Sequence, residues 1–111
     1  MKGWFINMEE LSTILRNINN YEWSYALYLP EDEIWIKESK GMVLDPDDVE
    51  EDNDEAPLAA MANGLIYALD IQTIQSIVIN LREQKKDYSD SELMDAFLYY
   101  YDNDAYIVLE N

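Results

Sequence analysis

The 111-residue chain carries 24 acidic and 7 basic side chains, for a formal net charge of −17 with no histidine, and 49% of its residues are hydrophobic. One domain of ordinary size is expected, too rich in apolar and aromatic residues to be a disordered acidic tail. So few Lys and Arg disfavour direct nucleic-acid binding and anionic membranes, and the lack of Cys and His removes disulfides, thiolate nucleophiles, His/Cys zinc sites and Ser-His-Asp triads.

Residues 1–7 hold few apolar side chains before Glu9 and Glu10, so no signal peptide is expected there. No apolar run approaches the roughly 18 residues of a membrane span. A cytoplasmic location is the expectation. Met8, Leu11, Leu15 and Ile18, with Ile14 beside them, predict an amphipathic helix. Asn7 would cap it and Glu10 would complete a capping box, with Asn19-Asn20 as the stop.

Trp23, Tyr25, Leu27 and Leu29 alternate with smaller or polar neighbours and predict a strand ended by Pro30-Glu31-Asp32. Ile34-Trp35-Ile36-Lys37 reads as the return strand of a hairpin, and Met42-Val43-Leu44 as a third short strand. Residues 45–55 then hold eight acids and no base, which predicts a solvated loop, because like charges this dense resist packing. A short helix follows Pro57 and stops at Asn63-Gly64. Residues 65–69 are consistent with a buried strand.

Asp70 is a good N-cap for the clearest helical stripe, Ile71, Ile74, Ile77, Val78 and Leu81, which ends near Lys85-Lys86. Ser89-Asp90-Ser91-Glu92 is a second capping box, opening a helix through Leu93, Phe97 and Tyr101. Asp102-Asn103-Asp104 breaks it, and residues 105–109 read as a final strand. The fold class is α+β: one domain over 1–111, a mainly antiparallel aromatic-rich sheet with about three to four helices packed on one face.

Carboxylates are the only plentiful catalytic groups, but nothing distinguishes an acid–base pair among two dozen of them, and no enzymatic activity, catalytic residue or cofactor is expected. A calcium loop starting at Asp45 accommodates Asp47 but fails at Val49 and at Glu50, which replaces the glycine, so no metal site is expected. The plainest reading of 45–55 is a solvated loop without a ligand. The functional reading is an electrostatic contact for a basic protein surface, formed by Asp45, Asp47, Asp48, Glu50, Glu51 and Asp52.

Contacts of that kind also need anchors, for which Tyr and Trp are suited. Trp23, Tyr25, Trp35 and Tyr67 lie in strand-like runs and are expected in the core. Tyr99-Tyr100-Tyr101 would spread over roughly 200° of a helix, so part of the run must face outward. Tyr99 and Tyr101, with Asp102 and Asp104, form a second candidate partner-binding patch, read against the plainer alternative of core tyrosines before a helix stop. The short 42–44 strand or the terminal strand offers an edge to a partner strand.

Tyr25-Ala26-Leu27-Tyr28-Leu29-Pro30, Leu44-Asp45-Pro46-Asp47-Asp48, Asn63-Gly64-Leu65 and the 97–105 stretch together resemble small acidic bacterial proteins of the immunity type, the partners of contact-dependent growth inhibition and other polymorphic toxins. The resemblance covers most of residues 8–107 and implies a toxin-neutralising role. Its motifs are structural and name no catalytic group. The expected function is an immunity protein that forms a 1:1 complex with a cognate toxin domain, a basic nuclease or ribonuclease, and blocks its active site. The alternatives are a nucleic-acid-mimicking inhibitor and an acidic regulatory or adaptor domain with no toxin partner.

Overall fold

Burial of one strand on both of its faces organises the molecule. In the computed structural model, which describes residues 8–48 and 57–109, strand β2 (Ala26–Pro30) has four consecutive buried residues, Ala26, Leu27, Tyr28 and Leu29. Successive strand side chains point to opposite faces, so such a run requires cover on both. Leu27 and Leu29 face the main core, and Ala26 and Tyr28 face a smaller cluster.

Its neighbours follow from that position. The sheet runs β1-β3-β2-β4, with β1 at Glu9–Glu10, β3 at Lys40–Leu44 and β4 at Leu65–Asp70, and all its pairings are antiparallel. The expected return strand at 34–37 does not form. Both sides of β2 are already occupied, by β3 and β4, and the 31–39 segment stays exposed except at half-buried Trp35 and buried Ser39. Trp35 anchors it by donating Nε1–H to the Pro30 carbonyl at 2.7 Å and packing on Phe97. Ile34 is 88% exposed beside it.

Helix α1 (Leu11–Arg16) begins later than the stripe from Met8 suggests, because Glu9 and Glu10 pair with Gly41 and Lys40. No side chain caps it. Leu11 and Ser12 donate their backbone N–H groups to the carbonyls of Ser39 and Lys37, which fill the capping role. Asn7 lies outside the described residues. Ile18 leaves the α-helix and is buried from a single 3₁₀ turn, Ile18–Asn20, which places the stop at the expected Asn pair.

Helix α3 (Ile71–Gln84) follows its predicted stripe, with all five stripe residues buried. Asp70 accepts the Thr73 N–H at 2.9 Å, as an N-cap should. Helix α4 (Asp90–Asn103) opens on the predicted capping box: the Ser89 hydroxyl accepts from Glu92 N–H, and the Glu92 carboxylate accepts from Ser89 N–H. Helices α1, α3 and α4 pack on the Leu27/Leu29 face around Phe97. The short α2 (Leu58–Ala62) puts Ala60 in the other cluster, with Ala26, Tyr28, Met42 and Leu65. The α+β class therefore holds, with three helices on one face and α2 on the other. None of the helices described is long and apolar enough to cross a membrane.

The final strand is absent. Residues 105–109 are extended but form no ladder. The Gln84 side chain holds them, donating to the Ile107 carbonyl and accepting the Leu109 N–H, while Ile107 and Leu109 pack against the main core. The expectation of core aromatics fails for Trp23, 63% exposed in a turn before β2, and for Tyr67, 48% exposed on β4. Tyr25 and Trp35 do pack against the core.

Gly41 marks the tightest approach in the sheet. A Cβ there would stand 2.6 Å from the Tyr28 carbonyl oxygen and 2.7 Å from a Leu29 methyl. Backbone cannot yield as a side-chain end can, so Gly41→Ala is expected to lower unfolding stability by about 1–3 kcal/mol. Loss of the α4 cap in Ser89→Ala is expected to cost about 1 kcal/mol. Urea denaturation with unchanged m-values checks both.

Candidate functional site

The register of the sheet brings the two acidic segments to one end of the molecule. Ala26, at the start of β2, stands opposite Leu44 on β3 and opposite Asp70 on β4. The chain therefore leaves β3 into Asp45-Pro46-Asp47-Asp48 at the same end where Asp70 opens α3. Helix α4 returns against α3, and Tyr100 in its C-terminal turn comes within the field of Asp70.

Each acid has a local reason for its place. Asp45 starts a tight turn: its carboxylate accepts the Asp47 N–H and its carbonyl accepts the Asp48 N–H, both at 3.0 Å. Aspartate followed by proline suits the first two positions of such a turn. Asp47 and Asp48 are then left exposed. Asp104 ends α4 in the left-handed region, at φ 54°, and donates its N–H to the Tyr100 carbonyl. Short polar residues tolerate that conformation. Glu50, Glu51 and Asp52 lie outside the described residues, as does most of the expected loop.

Tyrosines stand near these acids. Tyr28 and Tyr67 are opposite each other in the β2–β4 ladder and make an edge-on contact, with ring centroids 5.7 Å apart at 88°. Burial pushes the Tyr28 phenol up to about 12, and the charges of Tyr67, Asp45 and Asp47 add to this. Burial likewise raises Tyr67, followed by the charge of Asp70. Tyr100 is raised by desolvation, then by Asp104, its neighbour Tyr106 and Asp70. Tyr28 and Tyr67 stand on the α2 face of the sheet, and Tyr100 packs against the cluster on the opposite face.

Tyr67 and Asp70 are not among the sequence-predicted contact residues, and Tyr28 is buried. The place of Tyr67 depends on register, and the β2–β4 register shifts at Leu27/Tyr28, setting Tyr67 rather than Ala68 opposite Tyr28. Tyr99 and Tyr101 are each 40% exposed. Tyr101 also serves the core, since its ring lies 4.6 Å from that of Trp35.

Cations gather elsewhere. The two ion pairs among the described residues, Arg16–Asp90 at 3.3 Å and Lys85–Glu92 at 3.0 Å, both engage the first turn of α4. Arg82 is in the last turn of α3. The 14 residues of α3 separate that end from Asp70 by about 20 Å. Asp102 and Asp104 stand at the C-terminus of α4 with no basic residue in its last turn, where the helix dipole disfavours carboxylates. Neutral tyrosines and carboxylates in such an arrangement can accept hydrogen bonds from Lys and Arg and stack against guanidinium groups.

A cleft of about 280 Å³ opens at the other end of the sheet, lined by residues that include Pro30, Glu33, Ser39, Lys40 and Leu65. Buried Ser39 uses its hydroxyl to accept the Ile36 N–H, a loop-closing contact. Among the described residues, no group of three or more acidic side chains is placed to hold a metal ion.

The chain belongs to the family described as Domain of unknown function (DUF7716), whose model matches residues 8–109. That description names no activity or partner. No curated protein and no solved structure matches the chain.

The raised Tyr28 phenol has a consequence for alkaline stability. The folded state favours its neutral form, so its contribution is complete below pH 10, the ordinary value, and is lost as pH rises through about 12. Tyr28→Phe is expected to unfold less steeply with pH over that window than the parent chain. Denaturant titrations at stepped alkaline pH read the difference.

Proposed function

We propose that the chain is an immunity-type protein: a non-enzymatic, cytoplasmic inhibitor that binds a basic toxin domain in a 1:1 complex and blocks its active site. The observation that carries this reading is the segregation of charge. The Asp45–Asp48 turn and Asp70 share one end of the sheet, while the described ion pairs engage the first turn of α4. A nuclease must surround its scissile phosphate with Lys and Arg, so an acidic surface with aromatic anchors complements such a site. The resemblance of the 25–30 and 44–48 motifs to immunity proteins of contact-dependent growth inhibition systems points the same way. Eight of the 24 acids lie in residues 45–55, favouring a local contact over mimicry of a nucleic-acid duplex, which would need a regular array.

The test looks upstream of the gene for a reading frame ending in a toxin domain and pairs its product with the chain. Co-expression should protect the cell, and the purified pair should associate at least about tenfold more slowly at physiological salt than at low salt. Replacing Asp45, Asp47, Asp48, Glu50, Glu51 and Asp52 by Asn or Gln should weaken binding and preserve folding, since the amide oxygen introduced by Asp45→Asn can still accept the Asp47 N–H. Full protection by the substituted chain, or a salt-independent association rate, would contradict the reading.

A further inference from the structure

The sheet ends on a strand with little protection. β4 is its outer strand beyond β2, six residues long, and residues 65–69 contain no charge and no proline. Edge strands are normally guarded by lysines, prolines or brevity. The opposite outer strand, β1, is only two residues.

The direction of the β4 backbone groups follows from the ladder. Ile71 donates its N–H to the Tyr25 carbonyl at one end, and Glu31 donates to the Gly64 carbonyl at the other. In an antiparallel pair, residues alternate between facing the neighbour and facing away. Leu69 and Ile66 therefore bond to Leu27 and Leu29, whereas the N–H and C=O groups of Leu65, Tyr67 and Asp70 point outward. Among the described residues, no backbone bond reaches these groups from the outer side. The C-terminal segment, which would be a natural cover, is tied to Gln84 instead.

Charge selects what can pair there. A second copy of the chain would bring another −17 against an edge that terminates at Asp70. An extended segment bearing Lys or Arg meets attraction at the same place. We infer that the outer edge of β4 is a docking strand, on which a basic extended segment of the partner adds as a fifth strand, with the exposed Tyr67 flanking its side chains and Asp70 facing its cations. This rests on the reading of the acidic end as a surface for a basic protein and specifies how the partner engages it. Main-chain bonds would supply affinity, and Tyr67 and Asp70 would supply selection.

The probe is a lysine–valine alternating peptide of about seven residues, long enough to span the edge, with a glutamate–valine peptide as control. Backbone amide exchange is followed by NMR on the full chain. The lysine peptide should slow exchange at Leu65, Tyr67 and Asp70 at least about fivefold, and the glutamate peptide should not. Tyr67→Lys, at an exposed position, should keep the native amide spectrum and lose most of that protection. Salt-sensitive binding of the lysine peptide with shifts at Asp47 and Asp104 but no protection on β4 would overturn the strand addition while leaving the acidic-end reading intact. No binding of either peptide at millimolar concentration would overturn both. Dimerisation of the chain through β4 at physiological salt would also refute the inference, because the edge would then accept a second copy.

Discussion

Mutual repulsion among 24 carboxylates, set against seven cations, is the constraint that this fold has to meet. Its core meets it by excluding charge: Ser39 is the one buried polar residue among those described, and β2 is sheathed on both faces by apolar side chains. The described ion pairs then stabilise a single place, the first turn of α4, where the helix dipole also favours Asp90 and Glu92. That leaves the far end of the α3–α4 hairpin without comparable compensation. Asp70 is used there as a cap, and Asp45 as a turn former. The carboxylates of Asp47, Asp102 and Asp104 serve neither purpose, and Asp102 and Asp104 sit against the dipole of α4.

The tyrosines give this end its second property. A surface of carboxylates alone would attract any polycation weakly and indiscriminately. Exposed Tyr67, set edge-on against buried Tyr28, and the half-exposed Tyr99 on α4 add rigid faces of limited rotamer freedom, suited to binding at low entropic cost. Sheet register places Leu44, Ala26 and Asp70 abreast. Acidic side chains distant in sequence thereby reach one end of the sheet.

Helices are the most legible elements of this chain. The stripe from Ile71 to Leu81 and the Ser89–Glu92 box each carry their own local signals, and both form as those signals require. Strand partners are less legible, because alternation at 34–37 and at 105–109 indicates extended backbone and not a ladder. Trp35 anchors the first segment, and Gln84 captures the second. The start of α1 escapes a local reading for a related reason: backbone carbonyls at Lys37 and Ser39 replace the side-chain cap, and no local pattern encodes such a contact. At the candidate site, Asp47, Asp102 and Asp104 can be read from composition and spacing. Tyr67 cannot, since its exposure and its contact with Tyr28 follow from a one-residue register shift in β4.

Under the proposed reading, Asp47, Asp102 and Asp104 serve a partner rather than the fold and should burden the free protein. The direct measurement is equilibrium unfolding of Asp47→Asn/Asp102→Asn/Asp104→Asn against the parent chain, at low and at high ionic strength. Asparagine keeps the side-chain shape and tolerates the left-handed backbone at residue 104. The expected result is a variant more stable than the parent at low salt, with the difference closing as salt screens the repulsion. A variant less stable than the parent at both ionic strengths would show that these carboxylates hold the fold together, contradicting their assignment to a partner.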